Sequence, residues 1–187
     1  MPMVRVAAVS GLAALLLAAT AAMASADEKQ DTCSRMAGTI EEALACLQES
    51  GSSESCEPPE RMPLVRPIPG SVVLRFGERT QYGTVSKGVV LQGQRGTTVR
   101  APAGGSVIFA GEFRTYGQLV VLQPACGLRV LLAGLSTVDV ARGQDVTAGH
   151  TIGNLSAAEG KEGLPVLYVE LRRLGIPVDP GSDISGP

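Results

Sequence analysis

From residue 70 onward the chain shows no sustained helical period. Short apolar runs are instead cut by glycine turns: "SVVLRF" at 71–76, "GVVLQG" at 88–93, "TVRAPAGGSVIFAG" at 98–111, "GQLVVLQP" at 117–124, "GLRVLLAG" at 127–134, "DVTAGHTIGNL" at 145–155 and "PVLYVELRRL" at 165–174. Runs this short, bounded by turn residues, predict an all-β fold class, an antiparallel β-sheet or sandwich domain. In "VRAPAGG" a short strand, a proline turn and a Gly-Gly pair let two strands fold back tightly. Strand alternation in the last run puts Leu167, Val169 and Leu171 on one face and Val166, Tyr168, Glu170 and Arg172 on the other. The first set reads as a core face, while the second presents a phenol, a carboxylate and a guanidinium.

The segments before residue 70 have a different character. Residues 1–26 carry one basic residue, Arg5, then a long alanine-rich apolar run ending in Ala24-Ser25-Ala26 before "DEKQD". That is the layout of a secretory signal peptide, cleaved after Ala26. An uncleaved anchor is the alternative, because about 20 apolar residues just span a bilayer. The small-x-small site favours cleavage, export out of the cytoplasm and no stable membrane anchor afterwards. In 27–50 the stretch "SRMAGTIEEALACLQE" spaces Met36, Ile40, Leu44 and Leu47 as one stripe of a short helix. Residues 51–68, rich in Ser, Glu and Pro, read as a linker. The main domain is expected over 69–180, with a flexible tail at 181–187.

With 16 basic against 18 acidic residues, the chain lacks the Lys/Arg surplus that nucleic acid demands of a partner. Export makes the four cysteines, Cys33, Cys46, Cys56 and Cys126, candidates for disulfides. The four allow three pairings, and a continuous helix would hold Cys33 and Cys46 near 20 Å apart at about 1.5 Å per residue, too far to bond; of the pairings left open, Cys46–Cys56 with Cys33–Cys126 is preferred. No Cys-x2-Cys spacing supports a zinc site. The single histidine, His150, falls at a glycine turn, where it needs no chemical role. No Gly-x-Ser-x-Gly elbow precedes a helix. No cofactor is expected.

Seven pieces, taken in order, resemble the LytM domain of lysostaphin-type zinc metallopeptidases: Phe76-Gly77, "KGVVL" at 87–91, "GTTVRAPAGGSVIFAG" at 96–111, "YGQLVVLQ" at 116–123, "LLAGLS" at 131–136, "VARGQDVTAGHTIG" at 140–153 and "LYVELRRLGIPVDP" at 167–180. The resemblance implies a peptidoglycan-directed fold in which two histidines and an aspartate hold zinc and two further histidines act on the water and the oxyanion. Zinc needs imidazoles or carboxylates to make its bound water nucleophilic near neutral pH. At the matching positions this sequence has Ser86 and Val90, Gly134, and Val166 and Tyr168. All five catalytic positions are replaced, so no peptidase activity and no metal are expected.

Among zinc-less LytM domains, the chain resembles EnvC-like murein hydrolase activators, whose empty groove docks a partner amidase. The resemblance places Lys87, Tyr116, Tyr168 and Arg172 at the partner-binding positions, and Glu170 shares their strand face. Tyr and Arg suit such a role because each combines contact area with directional hydrogen bonds. By strict alternation Lys87 faces away from Ser86 and Val90, so its entry into the groove requires a twist at the strand end. The activators carry a long coiled coil; here only about 16 residues read as helix. The expected function is a periplasmic, non-catalytic activator of a peptidoglycan amidase in wall remodelling or division. The competing readings are a peptidoglycan-binding or structural envelope protein and, behind it, an active zinc endopeptidase. In another reading Glu170 and Arg172 are an exposed same-strand pair and Tyr168 only fills space left by zinc.

Overall fold

A computed structural model describes residues 42, 57–113, 116–125, 127–156, 164–181 and 184. The chain divides into two compact units, Met1–Leu47 and Gln48–Pro187. In the first, only Glu42 is described, an exposed residue in a helix. The expected signal peptide, the rest of the 27–50 helix and all four cysteines lie outside the described residues.

The second unit is built from antiparallel strands, as the glycine-cut apolar runs predict. In chain order these are β1 (Ser71–Leu74), β2 (Val89–Gln92), β3 (Thr98–Arg100), β4 (Gly105–Glu112), β5 (Gln118–Gln123), β6 (Leu128–Val138), β7 (Asp145–Val146), β8 (Thr151–Leu155), β9 (Val166–Arg173) and β10 (Ile176–Val178). The main path runs β1-β2-β9-β6-β5-β4-β7, with β10 on β9 and with β8 bridging β3 to β6. The last long strand of the sequence therefore sits near the middle of the sheet, between β2 and β6.

One face of this sheet carries the core. Val89 and Leu91 of β2, Leu167, Val169 and Leu171 of β9, Val130 and Leu132 of β6 and Val120 and Leu122 of β5 pack with Val99 of β3 and Ile152 and Leu155 of β8. Every second residue of each central strand contributes, because a strand turns alternate side chains to the same side. The opposite face is also apolar across β4–β6: Phe109, Phe113, Leu119, Val121, Leu131 and Ala133 are buried too. Burial on both faces explains why β5 and β6 read as continuous apolar runs rather than alternating ones.

Two expected boundaries move. Leu64 and Ile68, assigned to the linker, belong to the core, and Val65 N donates to Pro102 O at 2.7 Å while Arg100 N donates to Pro67 O at 2.9 Å. The proline-rich composition hid two apolar anchors that dock the end of this segment. Ile184, assigned to a flexible tail, is fully buried in the same core.

Candidate functional site

The core-opposite face of β9 lies between two neighbours whose register sets its rows. Tyr168 is paired with Val90 on one side and Ala133 on the other. Val166 pairs with Gln92, Glu170 with Leu131, and Arg172 with Arg129. Four of the five residues expected at the zinc-peptidase positions from the resemblance, Val90, Val166, Tyr168 and Gly134, fall on β2, β9 and β6, three strands adjacent in the sheet. Ser86 lies at the entry to β2, buried, with its Oγ donating to Gly88 O at 2.8 Å.

Tyr168, Glu170 and Arg172 form one connected network along the strand. The Tyr168 hydroxyl donates to Glu170 Oε2 at 2.5 Å, and Arg172 Nε donates to Glu170 Oε1 at 2.5 Å. Side chains two residues apart on a strand share a face, and here one carboxylate binds both neighbours. Glu170 and Arg172 are each only 2% exposed. This corrects the reading of an exposed same-strand pair, and Arg172 is not at an open rim. Burial raises the Tyr168 phenol far above its ordinary range, and the Glu170 charge and hydrogen bond push it further the same way. It is therefore a fixed proton donor at physiological pH.

Tyr116 sits in the turn from β4 to β5, where Tyr116 N donates to Phe113 O at 2.9 Å, and its ring lies 6.2 Å from that of Phe113. Its charge pushes the Tyr168 phenol upward as well, behind burial and Glu170. Lys87 is exposed, between buried Ser86 and buried Gly88. A Cβ at Gly88 would fall 2.4 Å from Val169 O and 2.9 Å from the Tyr168 ring. The ring therefore lies over the backbone beside Lys87.

Sequence reasoning missed two features here. Arg129, opposite Arg172, has its guanidinium pKa lowered by burial and then by the Arg172 charge; a lone arginine inside "GLRVLLAG" was the available signal. Gly134 has φ +99°, and a Cβ there would stand 2.3 Å from Val166 O. No side chain fits without moving β9, and only glycine takes that φ without strain. His150 is exposed at the turn before β8, with its backbone carbonyl accepting from Ala101 N at 2.8 Å. Among the described residues, no three His, Cys, Asp or Glu side chains gather as a metal site, and no helix is long and apolar enough to cross a membrane.

The sequence matches peptidase family M23 over residues 84–180, more than half of the chain. The chain belongs to peptidase family M23. As an M23 domain it is similar to the murein hydrolase activator EnvC of Escherichia coli, 37% identical over 114 residues, which are 61% of this chain and 27% of EnvC. It is also similar, over a shorter stretch, to the DD-carboxypeptidase/endopeptidase Mpg of Neisseria meningitidis serogroup B, 37% identical over 95 residues, 51% of this chain and 22% of Mpg. Among solved structures, a putative M23 peptidase from Pseudomonas aeruginosa superposes with a TM-score of 0.59 at 26% identity, covering 79% of this chain and 60% of that one. The chain thus spans about a quarter of the length of these two relatives. M23 relatives by name include both an activator and an enzyme, so the choice between those roles falls to the site.

Proposed function

We propose that this M23 domain is a non-catalytic periplasmic regulator that binds and activates a peptidoglycan amidase through the β2–β9–β6 face. The observation that carries the reading is the Tyr168–Glu170–Arg172 network, which commits the polar groups of that face to one another. The residues there do not fit zinc. Val90 and Val166 offer no donor atom, Gly134 has no side chain, the Ser86 hydroxyl donates to a backbone carbonyl, and the Tyr168 phenol is held protonated. Zinc wants neutral imidazoles, thiolates or carboxylates, and no step is routed through it.

Within this reading the five candidate residues divide by exposure. Lys87, Tyr116 and Tyr168 are accessible enough to contact the partner, while Glu170 and Arg172 are positioning residues that fix the Tyr168 hydroxyl. A preorganised tyrosine binds at low entropic cost, which is how aromatic anchors gain affinity.

The purified chain, incubated alone with dye-labelled sacculi, is expected to release no dye and to bind no stoichiometric zinc by elemental analysis. Mixed with the peptidoglycan amidases encoded by the same genome, one at a time, it is expected to raise dye release by at least one of them. Zinc-dependent release by the chain alone would overturn the reading. Sedimentation with bare sacculi and no stimulation of any amidase would favour a peptidoglycan-binding role instead.

A further inference from the structure

Residues 75–85, between β1 and the site residues Ser86 and Lys87, were absorbed into no part of the site, yet with Ser86 they form an ordered hairpin. Thr80 N donates to Thr84 O at 2.7 Å, Ser86 N to Glu78 O at 2.8 Å and Gly77 N to Ser86 O at 2.9 Å. Arg79 and Val85 form the bridge pair between these bonds. The tip is closed by Gly83 N donating to Thr80 O at 3.0 Å, with Gly83 at φ +79°. The Thr80 and Thr84 hydroxyls bond each other at 2.7 Å on the far side, and Tyr82 N donates to Thr80 Oγ1. The tip is thus held by its own backbone and hydroxyls.

What this scaffold presents is unusual for the molecule. Tyr82 is 84% exposed, and Val85 is 57% exposed beside exposed Arg79. The chain has only six aromatic residues, and Phe109 and Phe113 are buried to within a few per cent of zero exposure. An exposed tyrosine ring and a guanidinium on a turn tied by its own hydrogen bonds have the composition of a protein-contact hot spot. Segment 75–87 holds Arg75, Arg79 and Lys87 against Glu78, a local positive balance in a chain of net charge -2.

The hairpin is also continuous with the proposed docking face. Its second arm ends at Ser86, whose hydroxyl is tied to Gly88, and Gly88 lies under the Tyr168 ring. We infer that the Arg75–Ser86 hairpin is a second contact element for the same amidase, with Tyr82 as its anchor, Val85 as its apolar flank and Arg79 facing an acidic patch of the partner. This inference rests on the activator reading and extends its footprint beyond the site positions. Because the hairpin runs directly into the face proposed to hold the amidase, that protein is assigned as its occupant rather than a glycan, on whose C–H faces the ring could also stack.

The test compares the wild-type chain with Tyr82→Ala and Arg79→Glu. Circular dichroism checks the fold, titration calorimetry measures affinity for the stimulated amidase, and co-sedimentation measures binding to bare sacculi. Tyr82→Ala is expected to weaken amidase binding about tenfold or more, the loss typical of an anchor residue. Arg79→Glu is expected to weaken it further at low salt than at high salt, because screening removes the attraction. Sacculus binding should not change. Unchanged amidase affinity in both variants would overturn the inference while leaving the activator reading intact. Loss of sacculus binding with amidase affinity unchanged would assign the tip to glycan and overturn it as well. If the wild-type chain binds no amidase, both readings fall together.

Discussion

The two faces of β9 are buried by different means. Leu167, Val169 and Leu171 are 0%, 0% and 6% exposed and contribute apolar area alone. On the other face Glu170 and Arg172 are as deeply buried, paired with each other, with the Tyr168 hydroxyl on Glu170 and the Gly175 carbonyl accepting from Arg172. Burying apolar groups is favourable wherever they pack, whereas a buried charge is tolerated only when paired and hydrogen-bonded. The core face is therefore generic and tolerant of apolar exchange. The opposite face is specific: neither member of its buried ion pair can be removed singly, which suits a surface that must present one group, the Tyr168 hydroxyl, in one place.

The largest effect should come from breaking the pair. Glu170→Ala removes the carboxylate paired with the buried Arg172 guanidinium and is expected to cost about 3–5 kcal/mol, read from urea denaturation. A double Glu170→Leu, Arg172→Met variant should regain most of that loss, because an apolar pair of similar volume needs no charge partner. A double variant as unstable as the single would show that the pair is not the cause. On the core face, Leu167→Ala should cost about 2–5 kcal/mol through lost burial and a cavity, with no such rescue available. A single charge reversal, Arg172→Glu, would bury two carboxylates side by side and destabilise the domain.

Next in size is Gly134→His, which would return an imidazole to a zinc-peptidase position. The left-handed backbone alone costs on the order of 1–3 kcal/mol, and the Cβ would meet Val166 O. The variant should be destabilised in thermal melts and should gain no hydrolase activity; a stable variant would mean that β9 shifts easily.

The smallest effect is that of Tyr168→Phe, about 1 kcal/mol near neutral pH for one hydrogen bond. Its sign with pH is distinctive. The folded phenol titrates above its unfolded value of 10.0, so its contribution is complete below about pH 10 and is lost as pH rises beyond it. Wild type should therefore lose stability in alkali more steeply than Tyr168→Phe. Parallel curves would contradict the raised phenol.

Much of this fold was legible because strands announce themselves by apolar runs and glycine turns, and the alternation of "PVLYVELRRL" named both faces of β9 correctly. Alternation says which side a residue takes but not what covers that side, so the burial of Glu170 and Arg172 could not be read from it. Arg129 was hidden for a related reason: its place opposite Arg172 depends on the register between strands far apart in sequence. Leu64, Ile68 and Ile184 were masked by their proline-rich or terminal surroundings, where composition outweighed single apolar anchors. Gly134 looked like a lost histidine, and only its φ and its approach to Val166 O show that the backbone now requires glycine.

The most direct test of the central claim is dye release from labelled sacculi by a partner amidase, with and without the purified chain. Wild type should raise the rate, Tyr168→Phe should raise it less, and the stable Glu170→Leu, Arg172→Met double variant should fail to raise it at all despite being folded. Full stimulation by that double variant would contradict the account, because it would show that the polar network has no part in engaging the amidase.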